Sequence, residues 1–161
     1  MKYVFDSSTL IDLFRYYYKE RFPSLWGKFD QMVNEKRIIS VREAFHEVEK
    51  RGDDLSKWAI SNKEIFCLPN EEEAKFVAQI FTNKHFQSLI ENKKRLEGGH
   101  VADPFIIAKA KVENLIVVTI EGFKADGSPK PNAPKIPNIC HHFKIKCMNL
   151  EGFMDNEKWK F

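Results

Sequence analysis

The sequence is poor in the features that would stabilise a small scaffold covalently. Its 161 residues include three cysteines, Cys67, Cys140 and Cys147. That number is odd and no CxxC occurs, which argues against a disulfide framework. Long apolar runs are also missing, and none approaches the roughly 18 residues that a membrane-spanning helix needs. The opening stretch Tyr3-Val4-Phe5 is interrupted by Asp6 before it could serve as the apolar segment of a signal peptide. There is no internal repeat and no low-complexity tract. Charge is not weighted heavily to one sign, with 26 Lys and Arg against 23 Asp and Glu, a net +3. Such a balance admits a polyanionic partner without requiring one. These absences predict a cytoplasmic protein with no membrane partner.

Apolar material is plentiful. Hydrophobic residues make up 43% of the chain and include 14 Phe, enough for a core at this length. Disorder would need low hydrophobicity together with high net charge. The length suits one domain spanning 1–161.

Hydrophobic spacing predicts strands alternating with helices. Tyr3-Val4-Phe5 reads as a strand, and Asp6-Ser7-Ser8-Thr9 supplies capping residues for a helix carrying Leu10, Leu13, Phe14 and Tyr17. Pro23-Ser24 opens a second helix. Arg37-Ile38-Ile39 suits a short strand, and Ser40 is placed to cap a helix that ends near Gly52. Another helix covers Asp53 to Ile60. Ile65 to Leu68 fits a strand or a loop, and Glu71 to Leu96 reads as mostly helical before Gly98-Gly99. Asp103-Pro104 opens a further helix. Residues 115–120, Leu-Ile-Val-Val-Thr-Ile, form the clearest strand, apolar throughout as a central parallel strand is. A loop rich in Lys and Pro follows over 124–138, then a short helix around Asn138 to Phe143 and a strand from Ile145 to Met148. The expected fold is a three-layer α/β/α sandwich with a mainly parallel central sheet, with strands 3–5 and 115–120 as neighbours.

Open α/β sheets bind ligands beyond the carboxyl ends of their strands. Asp6 follows the first strand and Glu121 the central one. Asp103 heads the helix leading into that central strand. Each also has a plain structural role available. Asp6 and Asp103 are good helix caps, the latter because Pro is favoured at the first helical position. Glu121 before Gly122 suits a turn. On the helix after Ser40, at about 100° per residue, Glu43 points away from the apolar face, whereas Glu47 and Glu49 lie on its two borders. Spacing does not choose between them.

The order of these segments resembles a PIN domain. Tyr3-Val4-Phe5-Asp6-Ser7-Ser8-Thr9-Leu10-Ile11 is similar to its opening, and Ser40-Val41-Arg42-Glu43-Ala44-Phe45-His46-Glu47-Val48 to its second motif. Ala102-Asp103-Pro104-Phe105-Ile106-Ile107-Ala108 and Val117-Val118-Thr119-Ile120-Glu121 resemble the third and fourth. Residues 53–97 contribute nothing to the likeness, and the fourth acid is often Asp in the family, one methylene shorter than Glu121. The resemblance implies Glu47 as the helical acid. It also implies a site of Asp6, Glu47, Asp103 and Glu121 that binds Mg²⁺ or Mn²⁺ and hydrolyses single-stranded RNA. The nearest likeness is to PIN-like proteins of bacterial toxin loci, which implies an antitoxin protein as partner and a homodimer. Converging carboxylates repel one another, and a hard divalent cation with oxygen ligands relieves that repulsion. A catalytically weak binding module on the same fold and a metal-dependent DNA nuclease are the alternatives.

Other signals carry less. Cys140, His141, His142 and Cys147 match no common zinc spacing; a helix end and a buried strand cysteine explain them better. His100 sits alone in a Gly-rich stretch. Lys124, Lys130 and Lys135 could draw a nucleic-acid backbone, or simply solvate a loop. Tyr16, Tyr17 and Tyr18 beside Arg15 and Lys19 could stack bases, and with Trp26 they could instead form a dimer surface.

Overall fold

The computed structural model describes residues 1–87, 101–130 and 135–161. Five strands form one sheet: β1 (Tyr3–Phe5), β2 (Ile38–Val41), β3 (Phe66–Cys67), β4 (Ile116–Val118) and β5 (Cys147–Met148). Their order is β3-β2-β1-β4-β5 and every pairing is parallel. β1 is central, with Tyr3 opposite Ile38 on one side and Ile116 on the other. The expected three-layer sandwich with strands 3–5 and 115–120 adjacent is what the chain forms, though β4 stops at Val118.

The alternation of the strands builds two cores. Tyr3, Phe5, Ile38, Ile116 and Val118 face one side; Val4, Ile39 and Val117, their sequence neighbours, face the other. Period-two geometry requires this split, and a strand apolar at every position is the sequence form it takes. The first face is covered by α1 (Ser7–Tyr16), α2 (Pro23–Asn34), α4 (Asp54–Ser61) and α8 (Leu150–Asn156). There Phe153 meets Tyr3 and Phe5 edge-on, at centroid separations of 4.8 and 5.0 Å. Burying a side chain of this size contributes about 1.5–3 kcal/mol. The second face is covered by α5 (Glu71–Phe81), α6 (Asp103–Glu113) and α7 (Ile136–His142). Buried Lys109 joins α6 to α5 through Glu73 at 3.2 Å and also pairs with Glu113 on its own helix. The remaining helix, α3 (Arg42–Val48), gives Phe45 and Val48 to one core and Ala44 to the other.

Four local expectations are corrected. Ser40 is the third residue of β2 rather than a cap; its hydroxyl donates to the Phe5 carbonyl at 2.7 Å, and Val41 precedes α3 with no side-chain cap. Asp103 does not cap α6, because Ala102 is already helical (φ −80°, ψ −31°) and Asp103 lies inside the first turn. Trp26 is no surface residue: it packs against Phe14 and Phe29, and its indole N–H donates to the Tyr17 carbonyl at 2.6 Å. Of the two cysteines around the α7–β5 turn, the helical Cys140 is the buried one, whereas Cys147 on the strand is half-buried. The expectations for residues 88–96, Gly98-Gly99, His100, Pro131 and Pro134 lie outside the described residues. No helix among the described residues is long and apolar enough to cross a membrane.

Candidate active site

The strand order places the site. From β1 the chain builds outward through β2 to β3, then returns to lay β4 on the opposite flank of β1. In sheets with such a reversal, the usual ligand position is beyond the carboxyl ends of the two strands that flank it, here β1 and β4. Asp6 leaves β1 there, with its amide donating to the Val118 carbonyl at 3.0 Å. Thr9 Oγ1 donates to the same carbonyl at 3.0 Å, so the head of α1 is tied to the end of β4.

Asp6 is 1% exposed and is held by short neutral donors. Its Oδ1 accepts from the Ser7 amide at 2.8 Å. Its Oδ2 accepts from Ser8 Oγ at 2.6 Å and from Thr119 Oγ1 at 3.1 Å. Thr119 Oγ1 in turn accepts from the Glu121 amide at 3.2 Å. The capping reading of Asp6 and the site reading are therefore compatible, one oxygen serving each. The hydroxyl run Ser7-Ser8-Thr9, explained from sequence by capping alone, supplies the contacts that fix the carboxylate.

Glu47 reaches the same place from α3. Its Oε2 accepts from Ser7 Oγ, and its Oε1 accepts from the Ala102 amide at 3.2 Å. That amide belongs to the start of α6, whose positive dipole end suits a carboxylate. Asp103, the next residue, is 1% exposed. Glu49 turns away and pairs with His46 at 2.8 Å, which separates the two acids that spacing left equivalent. Glu43 departs from expectation: it is buried, its Oε1 taking Arg42 at 2.8 Å and its Oε2 having no hydrogen-bond partner among the described residues. The helix is too short, and too closely wedged between β2 and the cores, for its outer face to be solvent.

Glu121 lies in a turn three residues beyond β4, 3.8 Å from Lys135 Nζ. Gly122 (φ +77°) allows this approach, since a Cβ there would sit 2.8 Å from Lys135 Cβ. Phe123 and Pro129 form an antiparallel bridge, so the segment after Glu121 closes on itself. Beside it, Tyr16, Tyr17, Asp12 and Lys124 line a pocket of about 380 Å³. Tyr16 is 59% exposed.

Asp6, Glu47 and the head of α6 are thus brought together, with the backbone amide of Glu121 joined to Asp6 through Thr119. The donors are carboxylate and hydroxyl oxygens, the set that hard divalent cations take. Among the described residues, however, no three His, Cys, Asp or Glu side chains are grouped closely enough to hold a metal ion. In this arrangement Ser7, Ser8 and Thr119 hydroxyls occupy carboxylate oxygens that a cation would use.

A family model described as "Domain of unknown function (DUF4411)" matches residues 3–161, and the chain belongs to that family. No curated protein matches it.

Proposed function

We propose that this DUF4411 chain is a PIN-type, metal-dependent endoribonuclease that hydrolyses phosphodiester bonds of single-stranded RNA. The supporting observation is the link from Asp6 through Ser7 to Glu47, and from Glu47 to the Ala102 amide beside Asp103, beyond the carboxyl end of β1. Segments distant in sequence that resemble PIN motifs meet where this fold class binds its ligands.

On this reading Asp6 and Asp103 would hold Mg²⁺ or Mn²⁺, and Glu47 and Glu121 would reach it by length or through water. Such an ion would supply a water of lowered pKa and offset charge on the phosphoryl group, so that no Ser or Cys nucleophile would be required. The chain's own residues do the rest. Ser8 and Thr119 fix Asp6 Oδ2. Glu47, released by the Ser7 hydroxyl, receives the proton of the attacking water on a carboxylate oxygen. Lys135 and Lys124 attract the RNA backbone, and Tyr16 offers a face for an unstacked base. A toxin role opposite an antitoxin protein and a homodimeric state belong to the same proposal.

One observation favours the weaker binding module, namely the lack of a ready three-acid group among the described residues. A cleavage assay separates the readings. Wild type with Mg²⁺ or Mn²⁺ should cut single-stranded RNA, and EDTA should stop it. Asp6→Asn keeps a good capping residue yet should lower the rate by more than about a hundredfold, the upper range for loss of an outer-shell partner. RNA bound but never cut would establish the binding module; cleavage confined to DNA would make the protein a DNA nuclease.

A further inference from the structure

The opposite end of the sheet carries a different chemistry. At the amino ends of β1, β4 and β5 lies a pocket of about 330 Å³ whose lining includes Lys2, Lys111, Lys144 and Lys146 and, among the described residues, no acid. All four lysines are exposed. Glu113, next to the lining residue Asn114, is already paired with Lys109. Glu157, whose charge is felt at the chain start, is paired with Arg37 at 2.7 Å.

The lysines are positioned by backbone geometry. The Ile116 amide donates to the Lys2 carbonyl at 3.2 Å, and the Val117 amide to the Lys146 carbonyl at 2.9 Å. Lys2 and Lys146 therefore flank β4, with backbones about 10 Å apart at two strand spacings. Lys144 stands in a left-handed turn (φ +57°) with its amide on the His141 carbonyl at 3.2 Å. Lys111 Nζ donates to the Phe143 carbonyl at 3.1 Å. Helices α6 and α7 end here, and cations at helix carboxyl ends are stabilising by about 0.3–1 kcal/mol. That accounts for Lys111 and Lys144. It does not account for Lys2 and Lys146, which lead into strands.

We infer that this lysine pocket binds phosphate groups of a single-stranded RNA backbone, remote from the acids at the other end of the sheet. The identity of the polyanion rests on the nuclease reading; the anion-binding character rests on the lysines alone. A strand held here is retained by phosphate contacts without sequence preference.

The test is fluorescence anisotropy of a labelled 12-nucleotide oligouridylate in EDTA, where no cleavage intervenes. Lys144→Glu/Lys146→Glu should raise Kd at least about tenfold and make the log–log salt dependence shallower by about 1.4, two contacts at about 0.7 each. Lys144→Gln/Lys146→Gln should show a smaller loss in the same direction. Lys28→Glu/Lys75→Glu, which changes net charge equally on α2 and α5, should bind within about twofold of wild type. Melting curves of all variants establish that they fold. Equal losses in the control, no loss in the pocket variant, uridine monophosphate binding as tightly as the 12-mer, or an oligoglutamate peptide competing equally would each overturn the inference. Binding lost in the pocket variant while wild type fails to cleave RNA with Mg²⁺ or Mn²⁺ would leave this site standing and remove the nuclease reading.

Discussion

The two ends of the sheet treat their acids differently. At the amino end, Glu157 is matched by opposite charge and a phenol: Arg37 Nη2 donates to its Oε2 at 2.7 Å and Tyr3 Oη to its Oε1 at 2.6 Å. Asn156 Nδ2 donates to the Tyr3 hydroxyl at 2.6 Å and completes the network. At the carboxyl end, the donors to Asp6 and Glu47 among the described residues include Ser7, Ser8, Thr119 and the Ala102 amide. A guanidinium cancels a carboxylate's charge and so contributes to stability. Hydroxyl and amide donors orient a carboxylate without themselves carrying a charge that cancels its own. Among the described residues, the amino-end acid is thus set by a charged partner, whereas the carboxyl-end acids are tied to hydroxyls and amides of segments distant in sequence.

The largest effect that distinguishes the ends concerns stability. Burial works to raise the Glu157 carboxyl, but hydrogen bonds from Tyr3 and Arg37 outweigh it and hold the group below the usual range. Glu157→Gln should lower the free energy of unfolding by about 2 kcal/mol at neutral pH, the scale of hydrogen bonds to a charged group. A depressed pKa contributes stability above the unfolded value and loses it as pH falls through the folded one. The difference between wild type and variant should therefore shrink in acid. Asp103→Asn, at the opposite end, should cost less than about 1 kcal/mol, the helix-dipole contribution of an acid in a first turn. Urea unfolding of both variants checks this, and an equal cost at the two ends would dissolve the distinction.

The sequence discloses the amino-terminal half of the site more readily than its assembly. Asp6 after an apolar strand, followed by a run of capping residues, is a local signal that needs only neighbours in the chain. The strand at 115–120 stands out because burial on both faces leaves it apolar. What the sequence hides depends on contacts across the sheet. Ser40 has the composition of a cap, yet β2 runs through it, and its hydroxyl is used by Phe5, 35 residues away. Glu47 and Glu49 are symmetric on a helical wheel and differ only because Ser7 and Ala102 approach one of them. Glu43 is buried by the elements around α3, which a wheel cannot represent. Helix α8, also absent from the sequence reading, is short; it is marked by Asn149 capping the Gly152 amide at 2.8 Å and by Phe153 in the core.

A smaller effect sharpens the carboxyl-end half of the comparison. Thr119 is fully buried, and its hydroxyl bridges Asp6 Oδ2 and the Glu121 amide. Thr119→Val keeps the β-branched shape and removes the bridge. The cost in stability should be about 1 kcal/mol. Mn²⁺ affinity, measured by calorimetry, should fall about tenfold, the lower range for an outer-shell hydrogen bond. A loss of stability with unchanged Mn²⁺ binding would show that the hydroxyl serves the fold alone.

The smallest expected effect belongs to the amino end in alkali. Burial, followed by the hydrogen bond to Glu157, raises the Tyr3 phenol from its ordinary 10.0 to about 12. The neutral phenol is the form the fold accommodates, because an ionised one would lose its donated bond and face the Glu157 carboxylate. Between pH 10 and pH 12 the unfolded chain has released this proton while the native state still holds it. Fewer protons bound in the unfolded state means that stability falls as pH rises across that interval. Below pH 10 the contribution is fully present. Many other groups titrate in alkali, so the informative quantity is the difference between wild type and Tyr3→Phe. At pH 9 the variant should be less stable by about 1 kcal/mol, from the lost hydrogen bond. By pH 11.5 the gap should have narrowed, since Phe has no proton to lose. Melting temperatures of the two proteins over this range would show it. A gap that stays constant would mean that Tyr3 titrates alike in both states.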